Sequence, residues 1–161
     1  MSLIEATVHG GTDEHDTPIT FFEPIARAVD GFDLDPCASE TSELADENLT
    51  KEDGGLRQWH GKVWMNPPYS DVERWMRHAK LQEQYGHTDL IVGLVFARTG
   101  TQWFHKHATN ADLVCFVEGR LTFGGAENTA PAPSMVVVWG DYTEQLESVL
   151  NDCGMIVKPD Q

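Results

Sequence analysis

Short apolar runs alternate with stretches of helical spacing along most of this chain. Residues 89–97, D-L-I-V-G-L-V-F-A, are nearly all apolar and predict a strand that is covered on both faces. Three shorter apolar runs, at 63–65, 113–117 and 135–139, predict further buried strands. Because these strands alternate with helical segments, the pattern predicts an α/β fold with a mainly parallel sheet flanked by helices.

The helical segments are identified by apolar residues that recur every three or four positions. Residues 19–29 and 72–85 have this spacing, and Gly86 follows the second segment as a helix-ending residue. Residues 101–109 predict a short helix, and residues 142–150 predict a terminal one.

Two regions lack this periodicity. Residues 1–16 are polar and predict a flexible arm, which leaves 17–161 as a single domain. A short buried strand is expected within 31–36, but residues 37–61 are rich in Ser, Thr, Glu, Asp and Gly. This stretch is too short for two further strands of a doubly wound sheet with their connections. We therefore expect this part of the sheet to be reduced or replaced by loop.

The tetrapeptide Asn66-Pro67-Pro68-Tyr69 follows one of the predicted strands and precedes a helix. Its two prolines stiffen the turn and remove two backbone donors. If an exocyclic amine enters, the Asn66 carboxamide oxygen and the Pro67 carbonyl can each accept one of its hydrogens, and the nitrogen lone pair becomes free to attack. Tyr69 offers a ring on which a planar group can stack. The pattern indicates a site that methylates an amine with a sulfonium donor, without a metal; the alternative is a proline-rich turn that ends a strand.

The charge of the chain changes this picture. The sequence holds 26 acidic and 11 basic residues, a net charge of −15. An acidic surface repels nucleic-acid phosphates at ordinary salt, but concentrated salt screens the repulsion. We therefore expect a halophilic source, with an acidic enzyme that carries a local basic patch as the alternative. The three cysteines match no zinc pattern, no run is long enough to span a membrane, and no secretory signal is evident. These features favour a cytoplasmic protein.

A methyl donor that carries an amino acid, a ribose and an adenine needs a mixed polar site. Ends of strands and starts of helices meet at one crevice in a doubly wound sheet. Each carboxylate among the candidates could instead be an exposed acid or a cap. The candidates for binding the donor are Thr17, Pro18, Asp33, Asp35, Pro36, Cys37 and Ala38.

Four further residues are candidates for binding the acceptor substrate. Arg98 could hold a phosphate, and Trp103 could lie near a base that leaves its stack, although an aromatic at this position also suits a core. His105 belongs to the same stretch. Arg120 opens a Gly- and Pro-rich segment, 120–134, that could read DNA or simply link two strands.

Several motifs occur in the order found in the small phage-type Dam DNA N6-adenine methyltransferases, which this chain resembles from about Asp16 to Trp139. They are T-P then F-F, G-F-D-L-D-P-C-A-S, E-D-G-G-L, V-W-M-N-P-P-Y, A-R-T-G-T-Q-W-F-H and G-R-L-T-F-G-G-A-E-N-T-A-P-A-P-S. The resemblance implies a reduced Rossmann-like class I methyltransferase fold and S-adenosylmethionine as donor. It also implies double-stranded DNA as partner, with the adenine flipped into the N-P-P-Y site.

One departure from methyltransferases in general concerns the donor. The usual F-x-G-x-G after the first strand is replaced here by Cys37-Ala38-Ser39. Other acceptors stay open, namely a glutamine amide of a protein or an RNA base, as does a catalytically silent module that binds DNA or the donor. We expect a monomer or homodimer in the cytoplasm, of the host cell if the source is viral.

Overall fold

The computed structural model describes residues 17–54, 57–122 and 132–159. The helices are α1 (Ile19–Ala28), α2 (Lys51–Gly54), α3 (Val72–Tyr85) and α4 (Glu144–Cys153). The strands are β1 (Leu34–Asp35), β2 (Glu47–Asn48), β3 (Gly61–Met65), β4 (Thr88–Phe96), β5 (Leu113–Val117), β6 (Ser134–Gly140) and β7 (Gly154–Val157). A 3-10 turn, Tyr69–Asp71, precedes α3, and a π-helix, Phe104–Ala108, lies between β4 and β5. The predicted arm, 1–16, lies outside the described residues.

The seven strands form one sheet in the order β2-β1-β3-β4-β6-β5-β7. The α/β class is confirmed, whereas the strand pairing does not confirm a mainly parallel sheet. The β1–β2, β1–β3 and β3–β4 pairs are parallel, whereas the β4–β6, β5–β6 and β5–β7 pairs are antiparallel. The sheet is therefore mixed.

The antiparallel half arises from how the chain returns to the sheet. Parallel neighbours need a long crossover, usually a helix, whereas antiparallel neighbours can be joined directly. The sequence between β5 and β6 is rich in Gly and Pro rather than helical in spacing, and β6 lies antiparallel between β4 and β5. β7, which the sequence pattern did not predict, follows α4 without a loop and pairs with β5.

The reduced region after β1 contains two small elements. β2 has two residues and pairs with β1, and α2 has four residues. The expectation of a reduced sheet in this region is confirmed. Most of 37–61 that the structure describes remains loop.

Helices cover both faces of the sheet, and the strand residues alternate between two apolar clusters. On β4, Leu90, Val92 and Leu94 belong to the cluster under α1 and α4, while Ile91 and Val95 belong to the cluster under α3. Burial on both faces explains why β4 reads as a continuous apolar run. Among the described residues, no helix combines the length and the apolar character that crossing a membrane requires.

Trp64 joins α1 to the centre of the sheet. Its side chain is fully buried on β3, with its ring centroid 4.9 Å from that of Phe22 on α1 and 5.6 Å from that of Phe32 before β1. The Phe22–Trp64 contact is edge-on, a favourable arrangement for aromatic pairs. This cluster ties the first turns of α1 to the last residues of β3.

Gly140 ends β6 in a conformation that only glycine adopts without strain. Its φ is +108°, and an added Cβ would lie 2.7 Å from the carbonyl oxygen of Asp89. Gly86, which ends α3, also has a positive φ, +85°, but an added Cβ would meet open space. Substitution of each glycine in turn therefore distinguishes two costs. Both positions share the cost of backbone strain, and only Gly140 adds the cost of steric overlap.

We expect Gly140→Ala to destabilise the protein more than Gly86→Ala. Both changes incur the left-handed penalty of roughly 1–2 kcal/mol, and overlap with the Asp89 backbone adds about 2 kcal/mol at Gly140. Urea denaturation measures the two free energies of unfolding. Equal losses in the two variants would show that the β6 end relaxes around the new methyl group.

Candidate functional site

The carboxyl ends of β1 and β3 lie side by side, because the two strands pair in parallel with Leu34 opposite Val63. From β1 the chain moves outward to β2 and then returns to the other side of β1 to form β3. Such a reversal leaves a crevice outside the carboxyl ends of the two strands, and ligands bind there in open α/β sheets. The loops that begin at Pro36 and Asn66 border this crevice.

Asn66 is the first residue after β3 and is half-buried. Its amide nitrogen Nδ2 donates to the hydroxyl oxygen of Thr17, 3.1 Å away. Thr17 is itself buried and lies directly before Pro18, the residue that caps the start of α1. The hydrogen bond uses the donor side of the carboxamide and fixes its plane, and the oxygen Oδ1 is the acceptor on the other side of the same group.

A small pocket opens beside this turn. It is lined by Asn66, Pro67 and Tyr69 together with apolar residues of α3 and the end of β4, namely Val72, Leu94, Val95 and Phe96. Its volume is about 20 Å³, enough for roughly one water molecule. Pro67 and Pro68 are buried, and no described residue forms a hydrogen bond to the Pro67 carbonyl oxygen. The pocket thus combines a carboxamide and an unpaired carbonyl with apolar walls.

Tyr69 lies between the pocket and Arg98. The Arg98 guanidinium carbon is 5.2 Å from the centre of the Tyr69 ring and 5.9 Å from that of Phe96. The Arg98 Nε is buried and has no hydrogen-bond partner within the described part of the chain. A guanidinium over an aromatic face is a favourable cation–π contact. A planar ligand that stacks on the same face of Tyr69 must displace this guanidinium, so Arg98 lies at the site; its expected contact with a phosphate stays a prediction.

The loop after β1 presents a buried carboxylate. Asp35 is 2% exposed, and its Oδ1 accepts the backbone N–H of Cys37 at 3.2 Å. The N–H of Ala38 donates to the Leu49 carbonyl, so the amides of both residues bond within the protein. Pro36, Cys37 and Ala38 are buried and shape the loop. These amides are therefore not the ones that hold a ligand's carboxylate.

Ser39 was missed as a candidate although it ends the same motif. Its hydroxyl oxygen is buried and has no hydrogen-bond partner in the described structure. An orphaned buried hydroxyl costs free energy unless a ligand or water satisfies it. Together with Asp35 it gives the β1 loop two polar groups, a donor and an acceptor.

Asp33 has a structural role. Its Oδ2 accepts the N–H of Lys62 at 2.8 Å, and its own N–H donates to the Lys62 carbonyl. Asp33 precedes β1, and these two hydrogen bonds connect it to Lys62 at the start of β3. The structure therefore places Asp33 away from the carboxyl ends of the strands, where the crevice lies.

The other candidates for substrate binding are dispersed. Trp103 is 9% exposed and packs in the cluster under α3, while also lining a second groove beside Tyr69. The His105 nitrogen Nε2 donates to the Thr99 carbonyl 2.8 Å away, at the surface. Arg120 is exposed after β5 and lines neither the pocket nor the groove. The part of the Gly- and Pro-rich segment from 123 to 131 lies outside the described residues.

The thiols of Cys115 and Cys153 do not line the pocket beside Asn66. Burial raises the pKa of Cys115 to about 12, and its Sγ donates to the Leu150 carbonyl. Burial also raises the pKa of Cys153. Both thiols stay protonated at neutral pH. Among the described residues, no cluster of three or more His, Cys, Asp or Glu side chains could hold a metal ion.

Comparison with known proteins gives the class to which this fold and site belong. Residues 5–158 match the family "DNA N-6-adenine-methyltransferase (Dam)". This chain belongs to that family, and the resemblance drawn from its motifs is confirmed.

Two relatives carry the name DNA N-6-adenine-methyltransferase. The protein from Escherichia phage T1 is 35% identical over 94 residues, which cover 56% of this chain and 39% of the relative. The protein from Haemophilus phage HP1 (strain HP1c1) is 33% identical over 95 residues, covering 57% of this chain and 54% of the relative. The matched part of the chain thus spans about half or less of each relative.

The Thr17–Asn66 hydrogen bond can be measured as a coupling energy. In a double-mutant cycle, Thr17→Val and Asn66→Ala should couple by about 0.5–1.5 kcal/mol, the net value of one hydrogen bond. Thr17→Ser keeps the hydroxyl and should leave the effect of Asn66→Ala nearly unchanged. Urea denaturation supplies all the free energies, and a coupling near zero in the valine cycle would mean that the contact does not fix the carboxamide.

Proposed function

We propose that this protein transfers a methyl group from S-adenosylmethionine to the exocyclic N6 amine of adenine in double-stranded DNA. The observation that carries the proposal is the pocket at the end of β3, where Asn66, Pro67 and Tyr69 of the N-P-P-Y turn come together. Family membership and the names of the two phage relatives support the same acceptor. The setting of the reaction is the cytoplasm of the cell that makes the protein.

The donor belongs in the crevice beside β1 in this proposal. The residues there suit a ligand with hydroxyl and ammonium groups, because Asp35 supplies a buried carboxylate and Ser39 a buried hydroxyl that no described residue bonds. When bound, S-adenosylmethionine supplies a methyl carbon that its sulfonium charge has already activated. The position of this crevice, at the reversal between β1 and β3, also supports a reduced Rossmann-like class I fold.

Asn66 and Pro67 act on the acceptor amine. Asn66 Oδ1 and the Pro67 carbonyl each accept one N6 hydrogen, which pulls the nitrogen out of conjugation with the ring and frees its lone pair for the methyl carbon. As the new N–C bond forms, the S–C bond breaks with its electrons going to sulfur, and the extra N6 proton leaves to solvent. Thr17 holds the carboxamide in the orientation that this requires. Fixed acceptors aimed at developing positive charge lower the barrier without reorganisation.

Tyr69 receives the base. The N6 amine of adenine is paired within the duplex, so the base must leave the stack to reach the pocket. The pocket is smaller than a purine, and the Arg98 guanidinium covers part of the Tyr69 ring. We propose that the entering base displaces Arg98 from Tyr69 and stacks in its place.

A glutamine amide of a protein is the second candidate acceptor. The net charge of −15 favours it, since an acidic surface repels DNA but not a neutral or basic polypeptide. The Asn66 and Pro67 acceptors could hold a primary amide in the same way. Assaying DNA and glutamine peptides side by side separates the two acceptors.

Asn66→Ala should lower kcat for transfer to DNA by about 10²–10³-fold, the cost of losing one preorganised polar group. The affinity for S-adenosylhomocysteine, measured by calorimetry, should change little because Asn66 acts on the amine. Asn151→Ala, an exposed change on α4, serves as the matched control. Mass spectrometry of N6-methyladenine in the treated DNA follows the product, and normal turnover in the Asn66 variant would remove the catalytic assignment.

We also propose that the acidity is an adaptation to concentrated salt. Raising KCl from about 0.1 to 1 M shortens the Debye length from about 10 to 3 Å and relieves repulsion among the carboxylates. The melting temperature should rise by about 2–4 °C for each kcal/mol of repulsion relieved. Methyl transfer should rise before it declines, because salt screens repulsion from DNA as well as attraction. If stability and activity both fall steadily as KCl is added, the halophilic proposal is wrong.

A further inference from the structure

A groove beside the catalytic pocket contains two cations, Arg77 and Lys106, that have no side-chain partner among the described residues. It runs between α3 and the π-helix, has a volume of about 660 Å³, and is lined by Tyr69, Arg74, Arg77, Trp103 and Lys106 among others. We refer to it as the basic groove. Tyr69 and Val72 line both the pocket and the basic groove, so the two cavities share a wall.

Arg77 and Lys106 differ from the other cations of the described residues. Their side chains are exposed and make no ion pair, hydrogen bond or ring contact with any described residue. Each other lysine or arginine has such an interaction; Arg27, for example, pairs with Glu23, and Lys158 pairs with Glu147. In a chain with 26 acidic residues, two unpaired cations in one groove point to an anionic partner.

The acidic side chains of the groove are themselves engaged. Asp71 Oδ2 lies 3.7 Å from Arg74, and Glu73 Oε2 lies 3.4 Å from His107 Nε2. The latter contact also joins α3 to the π-helix, so it links the two walls of the basic groove. Trp103 is mostly buried and forms the floor. The unengaged charge in the groove is therefore positive.

We propose that Arg77 and Lys106 bind phosphates of the DNA strand that carries the target adenine, on the side of Tyr69 opposite the pocket. The strand follows the basic groove, and the flipped base passes the shared Tyr69 wall into the pocket. This inference rests on the proposed function. It also offers a way for a chain of net charge −15 to bind DNA, because the unpaired positive charge is concentrated beside the reacting base, while the described acidic residues other than Asp71 and Glu73 do not line the groove.

Anisotropy of a fluorescent duplex, titrated at several KCl concentrations in the presence of S-adenosylhomocysteine, tests the inference. Phosphate contacts do not depend on sequence, so any duplex reports them. Arg77→Gln and Lys106→Gln should each weaken binding about eightfold at 0.1 M KCl, and each should reduce the salt dependence by about 0.9 in log–log slope. Affinity for S-adenosylhomocysteine should not change.

Arg27→Gln is the matched control. It removes the same charge from α1, on the other face of the sheet, and with it an exposed pair with Glu23, so it reports the loss of one positive charge away from the groove. Both groove residues are exposed and unpaired, so their variants should keep the wild-type melting temperature. If either variant loses stability, Arg77→Lys or Lys106→Arg, which keeps the charge, should restore both stability and DNA binding.

The possible failures can be told apart. If the groove variants bind DNA as Arg27→Gln does, or if the wild type binds no duplex, the proposal that the basic groove binds DNA is wrong. The formation of N6-methyladenine by the wild type tests the proposed function separately. A wild type that makes no N6-methyladenine, with binding weakened as expected in the groove variants, would overturn the proposed function and leave the groove as a DNA-binding surface.

Discussion

The packing of Trp64 against Phe22 and Phe32 is the contact on which the candidate site depends. It fixes the start of α1 beside the end of β3, and so brings Thr17 to Asn66 across 49 positions of sequence. The parallel pairing of β1 with β3 adds the third component, the Asp35 loop. The carboxamide is therefore held by packed elements rather than by a mobile loop, as a preorganised site requires.

The same arrangement places the Arg98 guanidinium over the Tyr69 ring. The guanidinium covers an aromatic ring in the absence of a base, which keeps an otherwise exposed face in a favourable contact. The energy of this contact, about 0.5–2 kcal/mol, is comparable to that of stacking one base. In the proposed reaction, the exchange of one contact for the other is therefore nearly neutral in free energy.

Sequence reasoning predicted the elements that depend on local patterns. α1, α3, β4 and β5 follow apolar spacing and lie within one or two residues of their expected bounds. Strand direction was not predictable, because an apolar run reads the same in a parallel and an antiparallel strand, as β6 shows. The N-P-P-Y turn was recognisable from its sequence alone.

Other site residues could not be told apart in this way. Asp33 and Asp35 look alike in sequence and differ only in the backbone N–H that each carboxylate accepts. No sequence pattern indicated Arg77 or Lys106, since an unpaired cation is recognised only once its surroundings are known.

The central claim is that Asn66 and Pro67 receive the amine of a flipped adenine at the end of β3. A crystal structure of the protein with S-adenosylhomocysteine and an adenine-containing duplex tests it most directly. The account predicts an extrahelical adenine on Tyr69, with Arg98 displaced and N6 within hydrogen-bond distance of Asn66 Oδ1 and the Pro67 carbonyl. An adenine that stays stacked in the duplex, or whose amine contacts neither oxygen, would contradict it.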